Sequence, residues 1–271
     1  MTRRLANALV TTTLLAFFAV PLLWALYASL VPSASLFGSS PSASSYAFTL
    51  DAYRSVFANR TLLLALRSSL VVAACTTLLC IALGAPASYA FARLPLRGAR
   101  AVLGAMLAVS VLPQIVVVGP LFLVLRALDL VDTWAGLVLT YSAFALPLAV
   151  WLLTGAMRAL PRELEESALV EGASRVRILV SIIAPLAAPA VATTAILVFI
   201  ASWNEFLLAL SFTVSPSTRT LPVAVASLRG EHEIEWSTIL AASIIATLPV
   251  AALVLAFQRR IVAGLTSGAV K

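Results

Sequence analysis

Between residues 158 and 177 the chain sets four glutamates, Glu163, Glu165, Glu166 and Glu171, among four arginines, Arg158, Arg162, Arg175 and Arg177. Charge at that density makes ion pairs, or it makes a face for another protein. A second group with chemical potential is Trp203-Asn204-Glu205, set within an apolar run. A carboxylate within a span is costly, so this group either faces a cavity or a partner or makes a structural hydrogen bond to a neighbouring helix. Other reactive types are sparse. His232 is the only histidine and has no cysteine or second histidine to build a metal site with. Cys75 and Cys80 are five residues apart, so on a helix they lie on different faces and act as small packing residues. No G-x-x-x-x-G-K-[ST] phosphate loop occurs, so the chain does not hydrolyse ATP by that route.

The elements that carry these groups follow from composition. The chain is 62% hydrophobic and 11% charged, where a soluble domain carries about 25% charged residues. An all-α integral membrane protein is the class that fits. A spanning helix needs about 20 mostly apolar residues, and six candidates satisfy this: residues 8–31, 62–84, 101–125, 136–157, 186–210 and 238–257. Together they form a single transmembrane domain over residues 1–271. Arg3 and Arg4 before the first run resemble a secretory signal, but the run outlasts the roughly 7–15 residues of a signal core, so it reads as an uncleaved helix.

Placing both termini in the cytoplasm puts twelve of the eighteen positive charges on that side, as the positive-inside rule requires. The net charge of +7 then belongs to loops beside anionic lipid rather than to nucleic-acid binding. The charged stretch becomes a cytoplasmic loop, residues 158–185, and residues 258–271 a cytoplasmic tail.

Local chemistry predicts two short helices with a hinge in that loop. Pro161 suits a first helical position, where its missing N–H costs nothing, and Glu163, Glu165 and Glu166 favour the positive end of the helix dipole. Gly172 is placed to end the helix in the left-handed conformation. Ser174 caps a second helix through Ile178 and Ile182, and Pro185 bends the chain into the fifth span. Prolines 113, 120, 147, 189 and 249 interrupt four spans. Residues 51–57 are expected to form a short amphipathic helix on the outer side.

Glu166-Ser167-Ala168, then Gly172, Ile182 and Ala184-Pro185, resembles the loop E-A-A-x3-G-x9-I-x-L-P of ATP-binding-cassette (ABC) importer permeases. Ser167 replaces the usual Ala and Ala184 the usual Leu; both keep the helix-glycine-helix plan. The segments "ATTAILVFIASWNEFLLAL", "TLPVAVASLRGEHEIEW", "SYAFARLPLRGAR" and "QRRIVAGLTSGAVK" are similar, in order, to those of carbohydrate-type permeases, notably the second membrane subunit of maltose and trehalose importers. The resemblance implies the type I importer permease fold in a bacterial cytoplasmic (inner) membrane. It implies a second permease subunit, two ATPase subunits that bind ATP and Mg, and an extracytoplasmic sugar-binding protein. This chain itself would bind no cofactor.

The resemblance also assigns roles. Glu163, Glu165, Glu166, Ser167, Ala168, Glu171, Gly172, Arg175, Arg177 and Pro185 would couple to the ATPase. Trp203, Asn204 and Glu205 would line the substrate pathway. Arg229, Gly230 and Glu231, in an outer loop over residues 211–237, would meet the binding protein. Permeases for amino acids or glycerol phosphate are rival readings. A secondary transporter would need midplane ion-coupling carboxylates and inverted repeats, and neither is visible.

Overall fold

The computed structural model describes residues 2–33, 36, 48–228 and 235–267. Every long element among them is helical. In chain order these are α1 (Thr2–Ser29), α2 (Asp51–Ala58), α3 (Arg60–Arg93), α4 (Ala99–Val111), α5 (Gln114–Ala127), α6 (Trp134–Ala159), α7 (Glu163–Val170) and α8 (Arg175–Ile178). After a π-helical turn over Leu179–Ile183 come α9 (Ala184–Leu186), α10 (Ala188–Trp203), α11 (Leu207–Phe212), α12 (Leu221–Ala226) and α13 (Trp236–Ser267). Among the described residues, four helices are long and apolar enough to cross a membrane, and six spans result if each of two bent pairs counts as one.

The bent pairs refine the expected spans. α4 and α5 meet at 96°, so the third span is two helices broken at Leu112-Pro113. Pro113 has no N–H and restricts the residue before it, and Leu112 is extended (φ −61°, ψ 136°). The segment Arg175–Leu186 meets α10 at 80°. The turn expected at Pro185 falls at Ala187 instead, between Pro185 and Pro189, and the π-helical turn sits just before Pro185.

The chain forms two compact units. In the first, residues 1–64 with 221–249, α1 exposes nearly its whole apolar length, and only its end is buried, at Ala28 and Ser29, with Val31 buried just beyond it. There Ser237 donates to the Val31 carbonyl at 2.5 Å, and the Ser29 and Tyr53 hydroxyls share a hydrogen bond of 2.8 Å. α2 is amphipathic as expected, burying Ala52 and Val56 and exposing the Asp51–Arg54 pair.

The second unit, residues 65–220 with 250–271, packs α6 against α4, α10 and α11. Thr133 caps α6 by accepting from the Gly136 amide at 3.0 Å. A Cβ at Gly136 would lie 2.2 Å from the Leu130 carbonyl oxygen, so this turn admits only glycine.

Candidate functional site

The loop between α6 and α10 is built by the residues that predicted it. α7 starts at Glu163, so Pro161 lies just outside the cap residue Arg162 rather than at the first helical position. The Gly172 amide donates to Leu169 at 3.0 Å and the Ala173 amide to Ala168 at 2.9 Å. That pair of bonds is the Schellman closure, and it requires the left-handed backbone that Gly172 adopts at φ +81°. Ser174 then caps α8 through the Arg177 amide at 3.3 Å.

Exposure divides the expected coupling residues. Glu163, Glu166, Ser167, Glu171, Gly172, Arg175, Arg177 and Pro185 are on the surface. Ala168 packs inward with Tyr89, Ala92, Met157, Ile178 and Ile183. Glu165 is only 5% exposed, which corrects its place in the expected docking face. Its Oε1 accepts from the Tyr89 hydroxyl at 2.6 Å and from Arg175 at 2.5 Å. Its Oε2 lies 3.5 Å from Nε of Arg93, a side chain 2% exposed. Arg93 also donates to the Leu160 carbonyl at 2.8 Å, and Arg158 donates to the Phe91 carbonyl at 3.1 Å. Glu165 thus ties α7 and α8 to the end of α3, and its burial is tolerable only because two guanidinium groups and a hydroxyl face it.

Sequence reasoning missed Tyr89 and Arg93 as members of this cluster. They stand four apart, hence on one helix face. That spacing at the end of an apolar helix is the signal that was available.

The expected fifth span is interrupted at its polar triplet. α10 ends at Trp203 and α11 begins at Leu207. The Asn204 side-chain amide donates to the Ile200 carbonyl at 2.9 Å, and its backbone amide donates to the same carbonyl at 3.1 Å. The two carboxylate oxygens of Glu205 accept from the amides of Leu208 and Ala209 at 2.8 and 3.0 Å, capping α11. Trp203 is buried and stacked on Phe199 with centroids 5.8 Å apart, so it is not open for stacking on a solute. A pocket of about 190 Å³ opens beside this break, walled by Glu205 together with groups from α4, α5, α6 and α10. Arg229, Gly230 and Glu231 lie outside the described residues.

Residues 81–267 match the family described as "Binding-protein-dependent transport system inner membrane component". The chain belongs to that family. It is 43% identical to the trehalose transport system permease protein SugB of Mycobacterium tuberculosis, over 97% of this chain and 96% of that protein. It is 39% identical to the trehalose/maltose transport system permease protein MalG of Thermococcus litoralis, over 93% and 91%. It is also 39% identical to the sulfoquinovosyl glycerol transport system permease protein SmoH of Agrobacterium fabrum, over 93% and 88%. In fold it is similar to a chain of a bacterial ABC transporter for the acidic polysaccharide alginate, with TM-score 0.75, 20% identity and coverage of 94% and 96%. The protein is a membrane permease subunit of an ABC importer.

A further device of this permease is the turn before α6. Asp132, at φ +59°, accepts from the amides of Val214 and Ser215 at 2.9 and 3.0 Å and from the hydroxyls of Ser215 and Thr218. Its own amide donates to the Phe212 carbonyl at 2.8 Å. It pins the segment that leaves α11. Burial pushes the Asp132 carboxyl up, but the Ser215 and Thr218 hydroxyls and the two amides outweigh this and hold it down at about 2.

A carboxyl depressed by folding stabilises above its unfolded value, about 3.9, and loses that contribution as pH falls through the folded one. Protection from hydrogen exchange over residues 213–218, corrected for the intrinsic exchange rate, is therefore expected to hold above about pH 5 and to fall progressively towards about pH 2. Asp132→Asn should weaken the segment at neutral pH by about 1–2 kcal/mol, the cost of lost hydrogen bonds to a charged acceptor. Unchanged protection in that variant would show that the clamp contributes nothing.

Proposed function

We propose that this permease forms half of the translocation pathway of an ATP-driven importer of neutral di- or oligosaccharides such as trehalose or maltose. The observation that carries the coupling part is the helix-glycine-helix loop, closed at left-handed Gly172 and capped by Ser174. Such a loop presents two short helices at a set angle, a shape suited to seating in a groove on an ATPase subunit. The names of the relatives support the sugar class. In this reading both termini and residues 158–185 lie in the cytoplasm. ATP and Mg are held by the separate ATPase, and the remaining partners are a second permease subunit and an extracytoplasmic sugar-binding protein. Exposed Glu163, Glu166, Glu171 and Arg177 serve the docking face, while Glu165 positions it from within. Arg229, Gly230 and Glu231 are assigned to binding-protein contact by resemblance alone.

Expressed with its companion subunits, the permease should co-purify with the ATPase, and reconstituted vesicles should accumulate trehalose when ATP is supplied on the ATPase side. A thiol cross-linker placed through Glu166→Cys should capture the ATPase and not the binding protein. Labelling of position 166 only from the binding-protein side would reverse the topology and end this reading.

For the polar break, Glu205→Leu removes the cap of α11, at a cost of about 0.5–2 kcal/mol by the scale of other caps. Glu205→Gln retains an acceptor. Trehalose uptake should fall strongly with leucine and less with glutamine. Full uptake by the leucine variant would remove Glu205 from both the pathway and the cap.

A further inference from the structure

Two residues that wall the pocket beside the break in the fifth span carry buried hydroxyls without partners among the described residues. Tyr141 is 3% exposed and Ser202 5%. Both line the pocket, and neither hydroxyl oxygen has a hydrogen-bond partner among the described residues. The Tyr141 hydroxyl lies near Glu205 and Thr220 without a hydrogen bond of normal geometry to either. Buried hydroxyls are ordinarily paired, so two without partners in residues that wall one cavity point to something that completes them.

The remaining polar wall is Ser110 and Gln114, at the 96° bend of the third span, and Glu205, whose two oxygens already accept from α11 amides. Phe144 adds a half-buried apolar ring.

We infer that this subunit contacts the translocated solute directly, at a subsite for a neutral, hydroxyl-rich ring formed by Tyr141, Ser202, Gln114, Ser110 and Phe144. This deepens the proposed function and rests on it. The charge pattern decides the class. Among the described residues, no lysine, arginine or histidine lines the pocket, and the one carboxylate is Glu205. An anionic sugar would meet a carboxylate with no compensating cation, whereas hydroxyls find donors and acceptors together. The volume of about 190 Å³ is below the roughly 300–1,000 Å³ of a complete small-molecule site, so it accommodates part of the solute. The companion subunit supplies the rest.

The test uses the whole importer in vesicles. Ala201 is exposed and borders the pocket. Ala201→Cys, in a background where Cys75 and Cys80 are replaced by serine and alanine, gives a reporter thiol. Trehalose should slow its labelling by a small thiol reagent, and trehalose 6-phosphate should not. Tyr141→Phe and Ser202→Ala each remove one hydroxyl. Each should reduce uptake at saturating trehalose about fivefold, the scale of an ordinary hydrogen bond, with the double variant lower still. The binding protein sets the concentration dependence, so the loss should appear in the maximal rate.

If wild-type vesicles take up trehalose yet the thiol is unprotected and the double variant transports normally, this subsite is refuted alone. Equal protection by the phosphorylated sugar overturns its neutral selectivity. If wild-type vesicles take up no neutral sugar at all, the function proposed above fails instead.

Discussion

Glu165→Ala is expected to abolish uptake and to cost about 3–5 kcal/mol of stability, the scale for breaking a buried ion pair by removing one partner. The reason lies in what is left behind. Arg93, 2% exposed, would keep its hydrogen bond to the Leu160 carbonyl but lose the charge that compensates its burial. The Tyr89 hydroxyl would lose its acceptor, and Arg175 would have no tie to α7. Glu165→Gln retains an acceptor and should fall between alanine and wild type. Replacing both Glu165 and Arg93 by leucine removes the stranded charge, so it should recover much of the stability. If coupling runs through the ionic cluster, that double variant should remain defective in uptake. Melting of the purified complex and trehalose uptake measure the two halves separately, and wild-type values for Glu165→Ala would remove the cluster from both.

Gly172→Val is expected to uncouple ATP hydrolysis from uptake while leaving the protein in the membrane. A Cβ at this position meets nothing within 4 Å among the described residues, so the penalty is backbone conformation and not a clash. Holding an L-residue left-handed costs about 1–2 kcal/mol, which alters the population of a loop with the correct interhelical angle about 5- to 30-fold. Asparagine, which tolerates this region better, should be milder than valine. Substrate-stimulated ATPase activity and uptake are the readouts. A valine variant in which both remain at wild-type level would show that the angle set at Gly172 is not required.

What was legible in the sequence was the local chemistry. Gly172, Ser174 and the helix over residues 51–57 obey rules spanning a few residues, and the structure places them accordingly. Glu165 was indistinguishable from Glu163 and Glu166, because its burial depends on Tyr89 and Arg93 more than seventy positions earlier. The break after Trp203 was hidden for another reason. Apolar residues flank it on both sides, and only Asn204-Glu205 within that run signalled free helix ends. Trp203 could not be assigned to core or pathway until Phe199 was seen stacked against it.

With Glu165 turned inward, the outer face of the 158–185 loop carries Glu163, Glu166 and Glu171 against Arg158, Arg162, Arg175 and Arg177, close to electrical balance. Among these charges stand Val170, 89% exposed, and Val176, also exposed. A partner seated here gains more from covering those two valines than from long-range attraction. Mobile ions screen exposed charges beyond about 8–10 Å but leave apolar burial largely intact. In the function proposed above, docking of an ATPase on this loop would therefore be largely insensitive to ionic strength, and shifts in salt would reach the transport cycle through other steps.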